Sequence, residues 1–232
     1  MATQPKVFYQ FKIHLKGVSP MIWRRFQVRA DMTIAELHYV VQLVMGWQDT
    51  HLNCFKIYGK DYGVFHSGGL PFDEDPMSIR LRDLRLRVNT KFTYEYDFSE
   101  DWQHVIRLEK ILPVGTAMEC PVCIAGKRAC LPEDIGGPDR YDQFLADLLS
   151  TQLKVWARLG TILSDQQKLK FRMNESVELG GSWWDNLLFD PEYFNKREIN
   201  GALAQLYQNK GHTLQTLQES FQQIIWTREL AW

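Results

Sequence analysis

The 232-residue chain lacks an excess of charge of either sign. Its 27 lysines and arginines stand against 28 aspartates and glutamates, for a net charge of −1 at pH 7. A near-neutral chain has no global basic field to draw in nucleic acid, so only a local basic patch would serve that purpose. Long apolar runs are also missing; none approaches the ~20 residues that cross a bilayer, so no membrane association is expected. The opening MATQPKVFYQ has no apolar stretch of the secretory kind. Cysteine is scarce, at four residues. Without a secretory leader these are expected as reduced thiols in a cytoplasmic protein, or as metal ligands, rather than as a disulfide framework. There is no internal repeat and no low-complexity tract. Gly68-Gly69 stands without the rest of a phosphate loop, and no nucleophilic Ser-His-Asp or Cys-His motif is legible.

What is present is a heavy apolar complement: 45% hydrophobic residues, with eight tryptophans and thirteen phenylalanines. A chain of this length buries roughly 70% of its unfolded surface, so the fold needs no staples. Residues 7 to 16, VFYQFKIHLK, alternate. Val7, Tyr9, Phe11, Ile13 and Leu15 share one face, and Phe8, Gln10, Lys12, His14 and Lys16 the other, which predicts a half-buried strand. After the turn GVSP, residues 21 to 29 predict a second strand with Ile22, Phe26 and Val28 inward and Trp23, Arg25, Gln27 and Arg29 outward. So short a connection makes the pair a hairpin. Thr33 and Glu36 have capping-box spacing. Ile34, Leu37, Val40, Val41 and Val44 then recur at helical spacing, with Gly46 as the stop. HLNCFKIY, 51 to 58, predicts a third strand, and the glycine- and acid-rich residues 59 to 78 a long loop.

The stretch YEYDFSEDWQHVIRLEK, 94 to 110, poses the central question. Alternation through Tyr94, Tyr96 and Phe98 is broken by Asp97, Glu100 and Asp101. It then resumes with His104 on the face of Trp102, Ile106 and Leu108, and the strand ends at Pro113. Beyond residue 114 come a turn-rich cysteine loop, a helical pattern over 141 to 170, an irregular aromatic segment, and one or two helices over 198 to 230 interrupted near Gly211. A hairpin, a crossing helix and a sheet completed by later strands predict an α+β protein. Its core is expected to be a β-grasp (ubiquitin-like) domain over residues 1 to 115. The cysteine-containing loop and helical C-terminal part over 116 to 232 are expected to pack on it.

Five groups of residues carry a resemblance: Ile22-Trp23-Arg24-Arg25; Trp47-x-x-x-His51-Leu52; Tyr96-Asp97-Phe98-x-x-Asp101-Trp102-x-His104; Pro121-x-Cys123 through Cys130-x-Pro132-Glu133-Asp134-x-Gly136-Gly137; and Phe189-Asp190-Pro191-Glu192-x-Phe194. In these the chain resembles the plasmid pRiA4b ORF-3-like family of bacteria and archaea, often carried on plasmids and transposable elements. It departs from the family at Ser99, where the family's YDFGD has glycine, at Cys120, where an aromatic is common, and at Leu131-Pro132, where a proline pair is usual. The resemblance implies a fold and an association with mobile elements; it names no activity.

Four constellations have chemistry within reach. Asp97, Asp101 and His104, with His51 on a neighbouring strand, have the residue types for zinc, manganese or iron, or for acid–base work. The same residues also suit a buried histidine pinned by a carboxylate. Cys120-x-x-Cys123 with Cys130 offers three thiolates to zinc, with no fourth ligand nearby in sequence; ordinary thiols are the alternative. Glu133 and Asp134 reach toward the histidines or simply shape a glycine turn. Trp23, Arg24, Arg25 and Arg29, with Arg80, Arg82, Arg85 and Arg87, suit a nucleic-acid face or a protein hot spot. The alternative for that set is an outer sheet face covered by the C-terminal helices. The function expected is a non-enzymatic interaction or accessory module acting through a protein partner. The alternatives are a metal-dependent hydrolase or nuclease using His51, Asp97, Asp101 and His104, and a nucleic-acid binder using the Arg/Trp face.

Overall fold

The computed structural model describes residues 7–64, 72, 74–113, 121–164, 189–207 and 213–229. The first alternating segments form the expected hairpin: β1 (Val7–Leu15) pairs antiparallel with β2 (Trp23–Arg29). After helix α1 (Ile34–Met45) come β3 (Asn53–Ile57), β4 (Lys60–Tyr62), β5 (Lys91–Tyr96), β6 (Trp102–Pro113) and β7 (Val122–Lys127). Among the described residues three further helices follow, α2 (Tyr141–Ser164), α3 (Lys196–Leu206) and α4 (Leu214–Glu229). The strands make one sheet in the order β4-β3-β5-β6-β1-β2-β7, with every pairing antiparallel. The description supported is a mixed α/β fold on a seven-stranded antiparallel sheet, which is coarser than the β-grasp of the sequence reading.

The N-terminus of α1 is closed as its sequence requires. Glu36 N donates to Thr33 Oγ1 (3.2 Å), and Thr33 N donates to Glu36 Oε2 (2.7 Å). Gly46 ends the helix in the left-handed region at φ 99°. Of the twelve residues only Glu36 is outside the buried set. The apolar stripe Ile34, Leu37, Val40, Val41 and Val44 cannot account for that alone. The helix is sandwiched, with the sheet on one side and α3 and α4 on the other; Tyr39, for example, lies 5.2 Å from the Phe221 ring of α4. A helix buried all round tolerates polar groups only when they are partnered.

The segment read as a turn-rich cysteine loop contains β7, and this is a correction of the sequence reading. β7 pairs with β2, and Val122 and Cys123 are buried. Its outer edge is covered by α3. Asn200 accepts from Cys123 N (2.7 Å) and donates to Cys123 O (3.1 Å), a side-chain amide standing in for the next strand. A covered edge removes a template for pairing with another chain. Two irregularities re-aim side chains. The β1–β6 register shifts between Gln10 and Phe11, which makes Glu109 the extra residue, and the β2–β7 register shifts between Arg25 and Phe26. The expected interruption near Gly211 and the end of the 141 to 170 helical pattern lie outside the described residues.

Candidate metal centre

The centre is assembled where β5 ends. Asp97 follows Tyr96 in the left-handed region at φ 54°, and its N–H donates to Leu52 O (2.9 Å). One carboxylate oxygen, Oδ1, closes the turn by accepting from Ser99 N (3.1 Å), Ser99 Oγ and Glu100 N. The other, Oδ2, is buried and has no hydrogen-bond partner, although the residue is only 3% exposed. Burying an unpartnered polar group is costly, and most such groups in folded proteins find a partner.

A second loop is brought to this point by two glutamates. Glu100 accepts from Gly136 N (2.7 Å), Gly137 N (3.2 Å) and the Trp102 indole (3.0 Å), and so ties the glycine turn to the β5–β6 turn. Gly137 sits at φ 84°, where an added Cβ would lie 2.4 Å from the Glu100 carbonyl, so only glycine fits this approach. Glu133 accepts from Gln48 N (2.6 Å), Tyr96 Oη (3.0 Å) and Thr50 Oγ1. Burial, reinforced by Glu133, pushes the Tyr96 phenol up, which keeps it a donor. Glu133 is therefore a latch whose acceptor capacity is largely used.

His51, just before β3, stands between these loops. Its Nδ1 is 3.7 Å from Asp97 Oδ2, and its Nε2 is 3.4 Å from Asp134 Oδ1 and 3.7 Å from Glu133 Oε2. None of these is a hydrogen bond, and Nε2, like Asp97 Oδ2, is buried without a hydrogen-bond partner. One ligand atom each from His51, Asp97 and Asp134 fall within 4.8 Å of one another. Among the described residues this is the one group of three such side chains that converges. Asp134 is 78% exposed and His51 25%, so the cluster has a dry floor and an open side.

The other predicted ligands lie elsewhere. Asp101 is exposed and accepts from Gln103 Nε2 (2.8 Å). His104 is fully buried on the core face, with Nδ1 3.2 Å from Tyr94 O and Nε2 3.4 Å from the Trp47 indole N–H. An indole only donates, so His104 Nε2 accepts and Nδ1–H donates to the Tyr94 carbonyl. Desolvation pushes this imidazole down to about 4, so it is neutral and pinned to the core by backbone and tryptophan, not by a carboxylate. Cys120 lies outside the described residues. Cys123 and Cys130 are free thiols raised by burial to about 11 and about 12, with Arg24 opposing the rise in both. Neither belongs to the converging group.

The arginine set divides. Arg24 turns inward, with Nε donating to Val44 O (2.8 Å) and its guanidinium stacked 5.0 Å from the Phe194 ring. Trp23 and Arg25 stay on the outer face, and Arg29 pairs with Asp31. Arg80 and Arg82 sit at a 3₁₀ turn with Asp83, away from that row.

A model of the family described as plasmid pRiA4b ORF-3-like protein matches residues 7–198. The chain belongs to this family. It is 36% identical over 143 residues to "Uncharacterized protein y4hQ" of Sinorhizobium fredii (strain NBRC 101917 / NGR234), a match covering 58% of this chain and 70% of that one. It is also similar to a crystal structure, the "Protein of Unknown Function MM3350 from Methanosarcina mazei Go1". That likeness has a TM-score of 0.59 and 33% identity over 84% of this chain and 98% of the other.

Within this family member, the sequence reading passes over a buried polar network under α1. His38 Nε2 lies 2.8 Å from Asp49 Oδ1, and its Nδ1 lies 2.9 Å from Tyr94 Oη, which also accepts from Gln42 Nε2 (2.7 Å). Helical spacing placed His38 and Gln42 off the apolar stripe; both meet Tyr94 of β5, so the sheet makes that side interior. Ser99 adds its hydroxyl as a donor to Asp97 Oδ1. No described helix is long and apolar enough to cross a membrane.

Proposed function

We propose that the protein is a divalent-metal-binding accessory module, with the ion held by His51, Asp97 and Asp134. The observation that carries this reading is the buried, unpartnered Asp97 Oδ2 facing His51. An unsatisfied buried acceptor costs about 1–3 kcal/mol, more for a charged group, and a cation removes that cost. Imidazole with carboxylates suits zinc, manganese or ferrous iron. With one ligand atom taken from each residue the three lie within 4.8 Å of one another; a tetrahedral ion with ligands at ~2.1 Å needs about 3.4 Å between them, a closure that the exposed Asp134 side chain can supply. An ion there would join the start of β3, the end of β5 and the glycine loop.

Action through a protein partner, association with a mobile element and a cytoplasmic setting are part of the same proposal. The family's plasmid description supports the second. Exposed Leu149, Leu153 and Trp156, at helical spacing on α2, support the first. A β-grasp core over 1 to 115 with 116 to 232 as its cover is proposed likewise. The hairpin and α1 support it, and β7 joins the two parts.

The test is metal analysis of purified protein equilibrated with zinc or manganese and then dialysed. About one equivalent is expected in the wild type and none in Asp97→Asn, with both folded. Metal-free wild type after loading would end the proposal. One observation favours a second reading, metal-assisted hydrolysis: the open side at Asp134 leaves room for a water that an ion would acidify. Hydrolysis of an activated phosphodiester by the loaded protein, lost in Asp97→Asn, would mark that reading; inactivity of the loaded protein would exclude it for that substrate.

A further inference from the structure

The sheet face turned away from α1 carries an order of charge that folding does not need. Lys12 is opposite Arg25 on β2 and opposite Arg107 on β6, and Arg107 is opposite Lys91 on β5. Four cations thus stand abreast on four neighbouring strands, along a line of about 14 Å at ~4.8 Å per strand. Like charges directly opposite one another destabilise a sheet. The bulge turns one carboxylate, Glu109, into this row. It accepts from Arg25 Nε (2.6 Å) and Nη2 (3.1 Å) and from Arg107 Nη2 (3.2 Å). The Arg25 contacts hold its carboxyl down at about 2, so it remains a carboxylate. With Lys110 alongside, five cations face one carboxylate, a locally positive patch on a chain whose net charge is −1.

The patch is shaped and partly pre-organised. Gln10, Arg25, Asn89, Arg107, Glu109 and Lys110 line an open hollow of about 560 Å³. Arg25 and Arg107 are 32% and 42% exposed, so each is held yet reachable. Trp23 lies at the row's side, with Lys12 Nζ 5.0 Å and the Arg25 guanidinium 5.3 Å from its ring. Cations fixed in this way lose less freedom when a ligand arrives. His14 lies half-buried among them; after burial, Lys12, Lys91 and Arg107 push its imidazole down, as expected of one shared field.

We infer that this open sheet face binds single-stranded nucleic acid, with phosphates following the Lys91–Arg107–Lys12–Arg25 row and a base meeting Trp23. A linear row of cations beside an aromatic is the pattern that tracks a single-stranded backbone. A duplex major groove would require a helix or ribbon to enter it, and this face is a broad sheet. The inference is independent of the metal proposal, because the row shares no residue with the His51 cluster.

The experiment is fluorescence anisotropy of a labelled single-stranded oligothymidylate, in EDTA, across a salt series. Neutralising three to four phosphates predicts a log–log salt slope of about −2 to −3. Lys12→Gln with Arg107→Gln is expected to weaken binding at least ~10-fold and flatten the slope by about 1.4. The same double variant should stay folded with a melting temperature close to wild type, because relief of like-charge neighbours offsets the lost Arg107–Glu109 bond and Arg25 keeps Glu109 paired. Absence of binding at about 50 mM salt would overturn the inference. So would unchanged affinity in the variant, or equal affinity for a duplex or for polyglutamate.

Discussion

His104 is predicted to make the protein acid-sensitive between about pH 6.5 and about pH 4. In the unfolded chain this imidazole takes a proton near 6.5, and in the fold only at about 4. Between those values the unfolded state binds the extra proton, so stability rises with pH. The contribution is fully present above about 6.5 and is lost as pH falls toward 4. The gap of roughly 2.5 units at 1.36 kcal/mol each amounts to about 3 kcal/mol in full, of which about 2 kcal/mol disappears between pH 7 and pH 5. The perturbation is pH, compared in wild type and His104→Gln, and the assay is urea unfolding followed by tryptophan fluorescence. Glu109, lowered to about 2, loses its contribution only at lower pH, below this window. His14 also moves downward, but it is common to both proteins and cancels. Wild type should lose about 2 kcal/mol more than His104→Gln from pH 7 to pH 5. Parallel pH profiles would refute the reasoning and show that His104 is not desolvated as described.

Leu37, fully buried between sheet and helices, should cost ~2–5 kcal/mol when truncated to alanine; an unchanged urea midpoint would contradict its place in the core. Glu100→Ala removes the acceptor for two glycine amides and an indole. It is expected to lower stability by about 1–3 kcal/mol and to weaken zinc or manganese binding in calorimetry, since Asp134 loses its tether. Gly137→Ala meets both a left-handed backbone and the Glu100 carbonyl. A loss of about 1–3 kcal/mol from φ alone is expected, and a melting temperature equal to wild type would disprove the close approach. If the His51 cluster takes an ion, zinc or manganese at 100 times its dissociation constant should stabilise wild type by about 2.7 kcal/mol and leave Asp97→Asn unmoved, measured by thermal unfolding.

Local pattern determined much of this protein. Period-two alternation set both hairpin strands and which face each residue takes, including Trp23 and Arg25 outward and His104 inward. The Thr33–Glu36 spacing and Gly46 marked both ends of α1, because capping needs only neighbours in sequence. What the sequence could not decide were the meetings of distant residues. β7 has no strong strand signal of its own and becomes a strand because β2 offers an edge and Asn200 covers the other side. Arg24 falls on the inner face with Ile22 and Phe26, and only the fold supplies the Val44 and Lys127 carbonyls that meet its donors there. In the motif at 97 to 104, alternation already turned His104 toward the core. Tertiary packing left Asp101 in solvent. It left only Asp97 beside His51 and Asp134, because a loop anchored by Glu100 and Glu133 closes from more than thirty residues away. Periodicity records which way a side chain points. Which loop ends converge depends on the packing of elements far apart in the chain, and that is where the candidate metal centre was decided.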